Sequence, residues 1–156
     1  SKDRIEPFCS HFGTCGGCKW QHINYDLQKT YKRQQVLDQF QRIAKVPIPE
    51  VAPILGSEKT QYYRNKLDFT FSNSRWLTRE EINSGQEFER NAFGFHIPKM
   101  FDKIIDIEHC YLQGGISNEV RNALREFARE NKLSFYDIRN QVGLLRNLII
   151  RTTSTN

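Results

Sequence analysis

Four cysteines, Cys9, Cys15, Cys18 and Cys110, carry the first chemical signal. Three of them fall within ten positions as C-x5-C-x2-C, and the fourth follows after 91 residues. A disulfide framework suits a secreted chain, but the start, Ser1-Lys2-Asp3-Arg4, has no apolar h-region of a signal peptide. Unrelated core cysteines would not cluster this way. A tight loop of thiolates closed by one distant ligand is a metal-site pattern. Zinc and an iron–sulfur cluster both remain open on spacing. Only one C-x2-C pair is present, where a zinc knuckle pairs two, and a cluster accepts a 3 + 1 ligand set. Gly16-Gly17, between Cys15 and Cys18, leave backbone amides able to point at sulfur. Four thiolates would saturate a cubane, making it structural or redox-poised and leaving no open iron for substrate. His22, His96 and His109 are then read as satisfied polar groups.

Basic residues form the second signal. The 156 residues hold 23 Lys and Arg against 18 Asp and Glu, a net charge of +5. Residues 19–45 and residues 59–79 each carry a net +4, while residues 80–90 carry −3. Lys29, Lys32 and Arg33 in the first segment, and Arg64, Lys66, Arg75 and Arg79 in the second, are candidate RNA contacts. Guanidinium groups bind phosphate in two-pronged fashion, and neighbouring aromatic rings can stack unpaired bases. The competing reading is a set of solvated helix and strand edges. Trp20 and Tyr25, next to the cysteines, either shield a metal from water or pack on a helix. No apolar run approaches 18 residues, so no membrane partner is expected, and the location expected is cytoplasmic.

These residues need elements to hold them. Residues 1–21 read as a Cys- and Gly-rich loop. A helix is predicted over about 23–45, capped by Asn24, with Val36, Leu37, Phe40, Ile43 and Ala44 as its apolar stripe and Pro47 and Pro49 beyond its end. Lys66–Ser72 alternates as a half-buried strand. Residues 73–90 form a polar excursion. Phe93, Phe95 and Ile97 mark a second strand, Pro98-Lys99 a turn, and 101–107 a third strand. Ser117 is predicted to cap a helix to about 131 with Val120, Ala123, Leu124, Phe127 and Ala128 inward. Residues 133–138 and 144–152 read as a hairpin. The fold class is α+β: a mainly antiparallel sheet with helices on one face, an N-terminal Cys-rich loop and one long helix.

The motifs also match a family. Cys9-x5-Cys15-Gly16-Gly17-Cys18-x2-Gln21-His22-x2-Tyr25-x2-Gln28-x3-Tyr31-Lys32 resembles the signature of the iron–sulfur class of RNA (uracil-5-)-methyltransferases. Tyr63-Arg64-Asn65-Lys66-Leu67-x-Phe69, Phe93-Gly94-Phe95-His96 with Asp106-Ile107-x2-Cys110-x-Leu112, and Leu145-Arg146-x-Leu148-x-Ile150-Arg151 resemble later segments in family order. The resemblance covers residues 8–152 and is strongest to the 23S rRNA type. It implies a [4Fe-4S] cluster on Cys9, Cys15, Cys18 and Cys110, and ribosomal RNA, or tRNA, as partner. It also implies a TRAM-type RNA-binding domain and an S-adenosyl-L-methionine-binding domain, neither of them within these residues. The expected organisation is a cluster loop at 1–21, a helix at 22–46 that packs on the protein's own C-terminal methyltransferase domain, and an α+β central domain at 51–156. With no initiator Met and no uncommitted cysteine to attack uracil, the chain reads as a non-catalytic piece of a longer enzyme. A zinc-bearing RNA-binding module and an iron–sulfur redox or sensor protein are the alternatives.

Overall fold

A computed structural model describes residues 2–153. The chain forms two compact units, Ser1–Phe8 with Lys19–Thr60 and Cys9–Cys18 with Gln61–Asn156.

The first unit is built on helix α1, Tyr25–Asp38, which runs on through a π-helical stretch, Gln39–Ala44. Asn24 caps it by accepting the Asp26 N–H at 2.9 Å, and Asp26 places its charge in the first turn. Lys45 ends it in the left-handed conformation, φ 55°. The Arg33 guanidinium ties the helix to the chain beyond it by donating to the Val51 carbonyl. No residue of α1 or the π-helical stretch is buried; Val36, Phe40 and Ile43 are all exposed.

The second unit is a four-stranded antiparallel sheet, β1 Lys66–Ser72, β2 Ala92–Ile97, β3 Met100–Asp106 and β4 Asn147–Arg151, in the order β3-β2-β1-β4. Alternation in β1 sends Leu67, Phe69 and Phe71 to one face and Lys66, Asp68 and Thr70 to the other. The buried face joins Phe93, Ile107, Cys110, Leu112, Ala128 and Phe135 in one core. Phe71 and Phe93 stack at 3.6 Å between ring centroids. The polar excursion holds a short helix, α2 Arg79–Asn83, closed by a capping box between Thr78 and Glu81.

Two local expectations are corrected. Residues 133–138 form no strand. Only isolated bridges join Phe135 to Leu145 and Asp137 to Val142, because the Asp137 carboxylate accepts the N–H groups of Arg139 and Asn140 and winds the segment into a turn. Asn147–Arg151 pairs instead with β1. Helix α3, Ser117–Glu130, is not capped by Ser117; its hydroxyl donates to the Gln113 side chain at 2.7 Å, inside the core. Nor do Leu124 and Phe127 face inward: they are exposed, and Arg121, Arg125 and Ala128 are buried. The arginines find carbonyl acceptors on the Ile107 and Glu108 backbone, which apolar side chains could not satisfy.

Candidate functional site

The cysteine loop is a compact knot of backbone hydrogen bonds. Phe12 N–H donates to the Cys9 carbonyl at 3.0 Å and Cys15 N–H to the His11 carbonyl at 2.9 Å. Gly17 N–H donates to the Cys15 sulfur at 3.3 Å, which is the amide-to-sulfur contact the glycines were expected to allow. Gly16 N–H donates to the His96 carbonyl at 3.2 Å and anchors the loop to β2. A Cβ at Gly16 would lie 2.7 Å from that carbonyl oxygen, so the anchor requires glycine.

Cys110 arrives from the other direction, after β3. Asn118 on α3 holds its backbone at both ends, accepting the Cys110 N–H at 2.8 Å and donating to the Cys110 carbonyl at 3.1 Å. Arg121, fully buried, donates to the same Asn118 side-chain oxygen at 2.9 Å. His11 closes the gap by accepting the Glu108 N–H at 3.4 Å. Cys15 and Cys18 pack against the core that contains Cys110.

All four cysteines are thiols outside any disulfide. Burial pushes the Cys15 thiol up to about 11; the Gly17 N–H opposes this, and Cys110, Cys18 and Cys9 each add to it. Burial also raises Cys110, against the Leu112 N–H and the Arg121 charge. Residues from two distant stretches therefore act on one another here. Among the described residues, no three His, Cys, Asp or Glu side chains form a group that could hold a metal ion. His96 and His109 take protein partners, Thr70 at 3.5 Å and Tyr62 at 3.0 Å.

The basic candidates separate by how firmly each is held. Arg33 is bound to Val51, Lys29 pairs with Asp26 at 2.8 Å, and Arg75 pairs with Glu81. Lys32 lies 5.8 Å from the Trp20 ring centre, and Tyr25 accepts the Ser57 N–H at 2.8 Å; both aromatics thus have partners within the first unit. Lys66 pairs with Asp68 at 3.2 Å on the open face of β1, both half exposed. Arg64 is exposed, and among the described residues its guanidinium forms no ion pair. The sequence reading missed His11, Asn118 and Arg121. The motif Asp106-Ile107-x2-Cys110 pointed to their neighbourhood, but their roles depend on contacts up to 97 residues apart.

No family model matches the chain. It is 56% identical over 153 residues to an uncharacterized RNA methyltransferase of Bacteroides thetaiotaomicron, covering 97% of this chain and 34% of the relative. Identity to an uncharacterized RNA methyltransferase of Chlorobaculum tepidum is 43%, over 97% of this chain and 32% of that protein. Among solved structures it resembles the tRNA (uracil-54, C5)-methyltransferase of Pyrococcus abyssi, crystallised with S-adenosyl-L-homocysteine. The TM-score is 0.60 at 30% identity, over 97% of this chain and 29% of the other. The chain spans about a third of the length of the curated relatives it matches. Its relatives are RNA methyltransferases by name, and no helix among the described residues is long and apolar enough to cross a membrane.

Proposed function

We propose that this chain is the cysteine-bearing, RNA-contacting part of an S-adenosylmethionine-dependent RNA (uracil-5-)-methyltransferase. The observation that carries the reading is the match of 97% of this chain, at 30% identity, to a tRNA (uracil-54, C5)-methyltransferase, together with the packing of Cys15 and Cys18 against the core that contains Cys110. The reading of the group as a cluster rests on the cysteine spacing: three cysteines in one loop and a fourth far along the chain are a 3 + 1 set, with one C-x2-C pair where a zinc knuckle has two. A multinuclear cluster spreads its ligands around a larger body. The Gly17 and Leu112 amides and the buried Arg121 cation would offset thiolate charge. Bound there, a [4Fe-4S] cluster would supply a structural tie or a one-electron centre.

Methylation at uracil C5 requires a thiolate that adds to C6, transfer of the methyl group from the sulfonium to C5, and a base that removes the C5 proton before the thiolate leaves. With its four thiols assigned to the cluster, this chain leaves no cysteine to add to C6, and that step is assigned to the remainder of the protein. The exposed apolar side chains of α1 and the π-helical stretch after it, Val36, Phe40 and Ile43, suit packing against that remainder. The substrate is structured RNA, ribosomal or transfer, with Arg64 and Lys66 as contacts.

Anaerobic purification followed by iron, sulfide and zinc determination tests the cofactor. Iron and sulfide in near-equal amounts, lost in Cys110→Ser, are expected. Stoichiometric zinc without sulfide would sink the cluster reading. Incubating the full-length protein with labelled S-adenosylmethionine and either 23S rRNA or tRNA then identifies the substrate, and label in neither would refute the methyltransferase reading.

A further inference from the structure

The open face of the sheet contains a cavity of about 120 Å³ that the thiol site does not use. Phe101, Tyr136 and Arg146 contribute its ring and guanidinium walls, and Thr70, His96 and Asn147 its polar edge. Arg146 is exposed and stacks on Tyr136, its guanidinium carbon 4.7 Å from the ring centre, and no carboxylate among the described residues pairs with it. Phe101 is 64% exposed, an apolar ring left in water beside a cation, Arg139 at 6.0 Å. Asp102, also in the lining, is already occupied by Arg139, so its charge is neutralised. At the polar edge, Thr70 accepts from Asn147 at 3.4 Å and meets His96 at 3.5 Å. Bonds this long leave donor and acceptor capacity unspent.

This combination recognises a planar, polar-edged ring. The cavity is comparable to voids of about 150 Å³ that accept a benzene molecule. A guanidinium stacked on tyrosine offers its outer plane to a base, and the hydroxyl, amide and imidazole can read a base edge. On the same face, four residues from the Thr70–Asn147 pair along the register, stands the Lys66–Arg151 pair, about 13 Å away at 3.3 Å per residue. That places Lys66 and Arg151 where a strand leaving the cavity would carry phosphates, Lys66 being paired with Asp68 at 3.2 Å.

We propose that this cavity seats one unpaired base of an RNA strand, stacked on the Arg146–Tyr136 pair and walled by Phe101, with the strand continuing over Lys66 and Arg151. The inference rests on the RNA reading above and goes beyond it by naming a single-base site away from the thiols.

The test titrates the 156-residue chain with a labelled single-stranded RNA of about 12 nucleotides, with the same strand carrying one abasic position at a time, and with a duplex of equal length. Arg146→Ala and Phe101→Ala, both exposed positions, should each weaken single-strand binding by about tenfold with unchanged circular dichroism. One abasic position should reproduce the loss, and duplex affinity should not change. If single-strand affinity is unaffected by either substitution, or if no abasic position matters, the site is wrong while RNA binding stands. If the parent chain binds no RNA, the RNA reading falls with it. If the substitutions leave RNA affinity intact but lower the melting temperature of the full-length protein, the face packs against the rest of that protein and the proposal is overturned.

Discussion

Alanine at Gly16 should damage the thiol loop, whereas alanine at Gly17 should not. At position 16 the new Cβ would sit 2.7 Å from the His96 carbonyl oxygen, closer than the 3.0 Å that real Cβ atoms observe, and the obstacle is backbone. Loop and strand must move apart, which lengthens the 3.2 Å bond from Gly16 N–H to that same oxygen. Overpacking costs about 1–3 kcal/mol, and a weakened hydrogen bond about 0.5–1.5 kcal/mol. The stiffer unfolded chain returns about 0.4–1 kcal/mol. The net expectation is a loss of about 1–3 kcal/mol. At Gly17 the nearest atom to a Cβ is the Cys15 sulfur at 3.4 Å, and no left-handed φ is required. There the unfolded-state term stands nearly alone, so Gly17→Ala should be neutral or more stable by up to about 1 kcal/mol. Urea unfolding of both variants, with iron and sulfide determined after anaerobic reconstitution, gives the comparison. Equal midpoints for Gly16→Ala and parent, with equal cluster content, would refute the anchoring role of this contact.

Other perturbations probe neighbouring parts of the structure. Gly94→Ala puts a Cβ 2.2 Å from the Ile105 carbonyl oxygen between β2 and β3, and should cost about 3 kcal/mol or more, read as a lowered melting temperature. Asn118→Ala removes both bonds to the Cys110 backbone and should destabilise by about 1–3 kcal/mol while reducing cluster retention, measured as iron bound after gel filtration. Arg139 holds the Asp102 carboxyl below its ordinary value of 3.8. A depressed carboxylate stabilises above the unfolded pKa and ceases to as pH falls through the folded one, so the stability gap between parent and Arg139→Gln should be full near pH 7 and shrink as pH falls below the ordinary carboxylate value of 3.8. Arg64→Ala combined with Lys66→Ala should weaken RNA binding by about 1–3 kcal/mol and flatten its salt dependence by up to about two units of slope, tested by titration at several salt concentrations.

Much of this arrangement is legible in the residues alone. Alternation placed β1 and β2, since a strand with one buried face must repeat every two residues, and the turn at Pro98-Lys99 marked the start of β3. Asn24 marked the start of α1 because its side chain can satisfy an amide that the helix leaves open. The cysteine spacing set four thiols apart as candidate ligands. What only the tertiary structure decided are matters of long-range partnership. Helical periodicity pointed Leu124 and Phe127 inward, but the buried positions went to Arg121 and Arg125, because the carbonyls of Ile107 and Glu108 stand opposite them. Gly16 and Gly17 are equivalent in the chain and unequal in the fold, since a strand some 80 residues on presents a carbonyl to one and not the other. Residues 133–138 lost their strand pairing to a local carboxylate turn, and β4 went to β1 instead. Composition and period record how often a side chain meets water; which polar group it meets when buried is set by segments far away in the sequence.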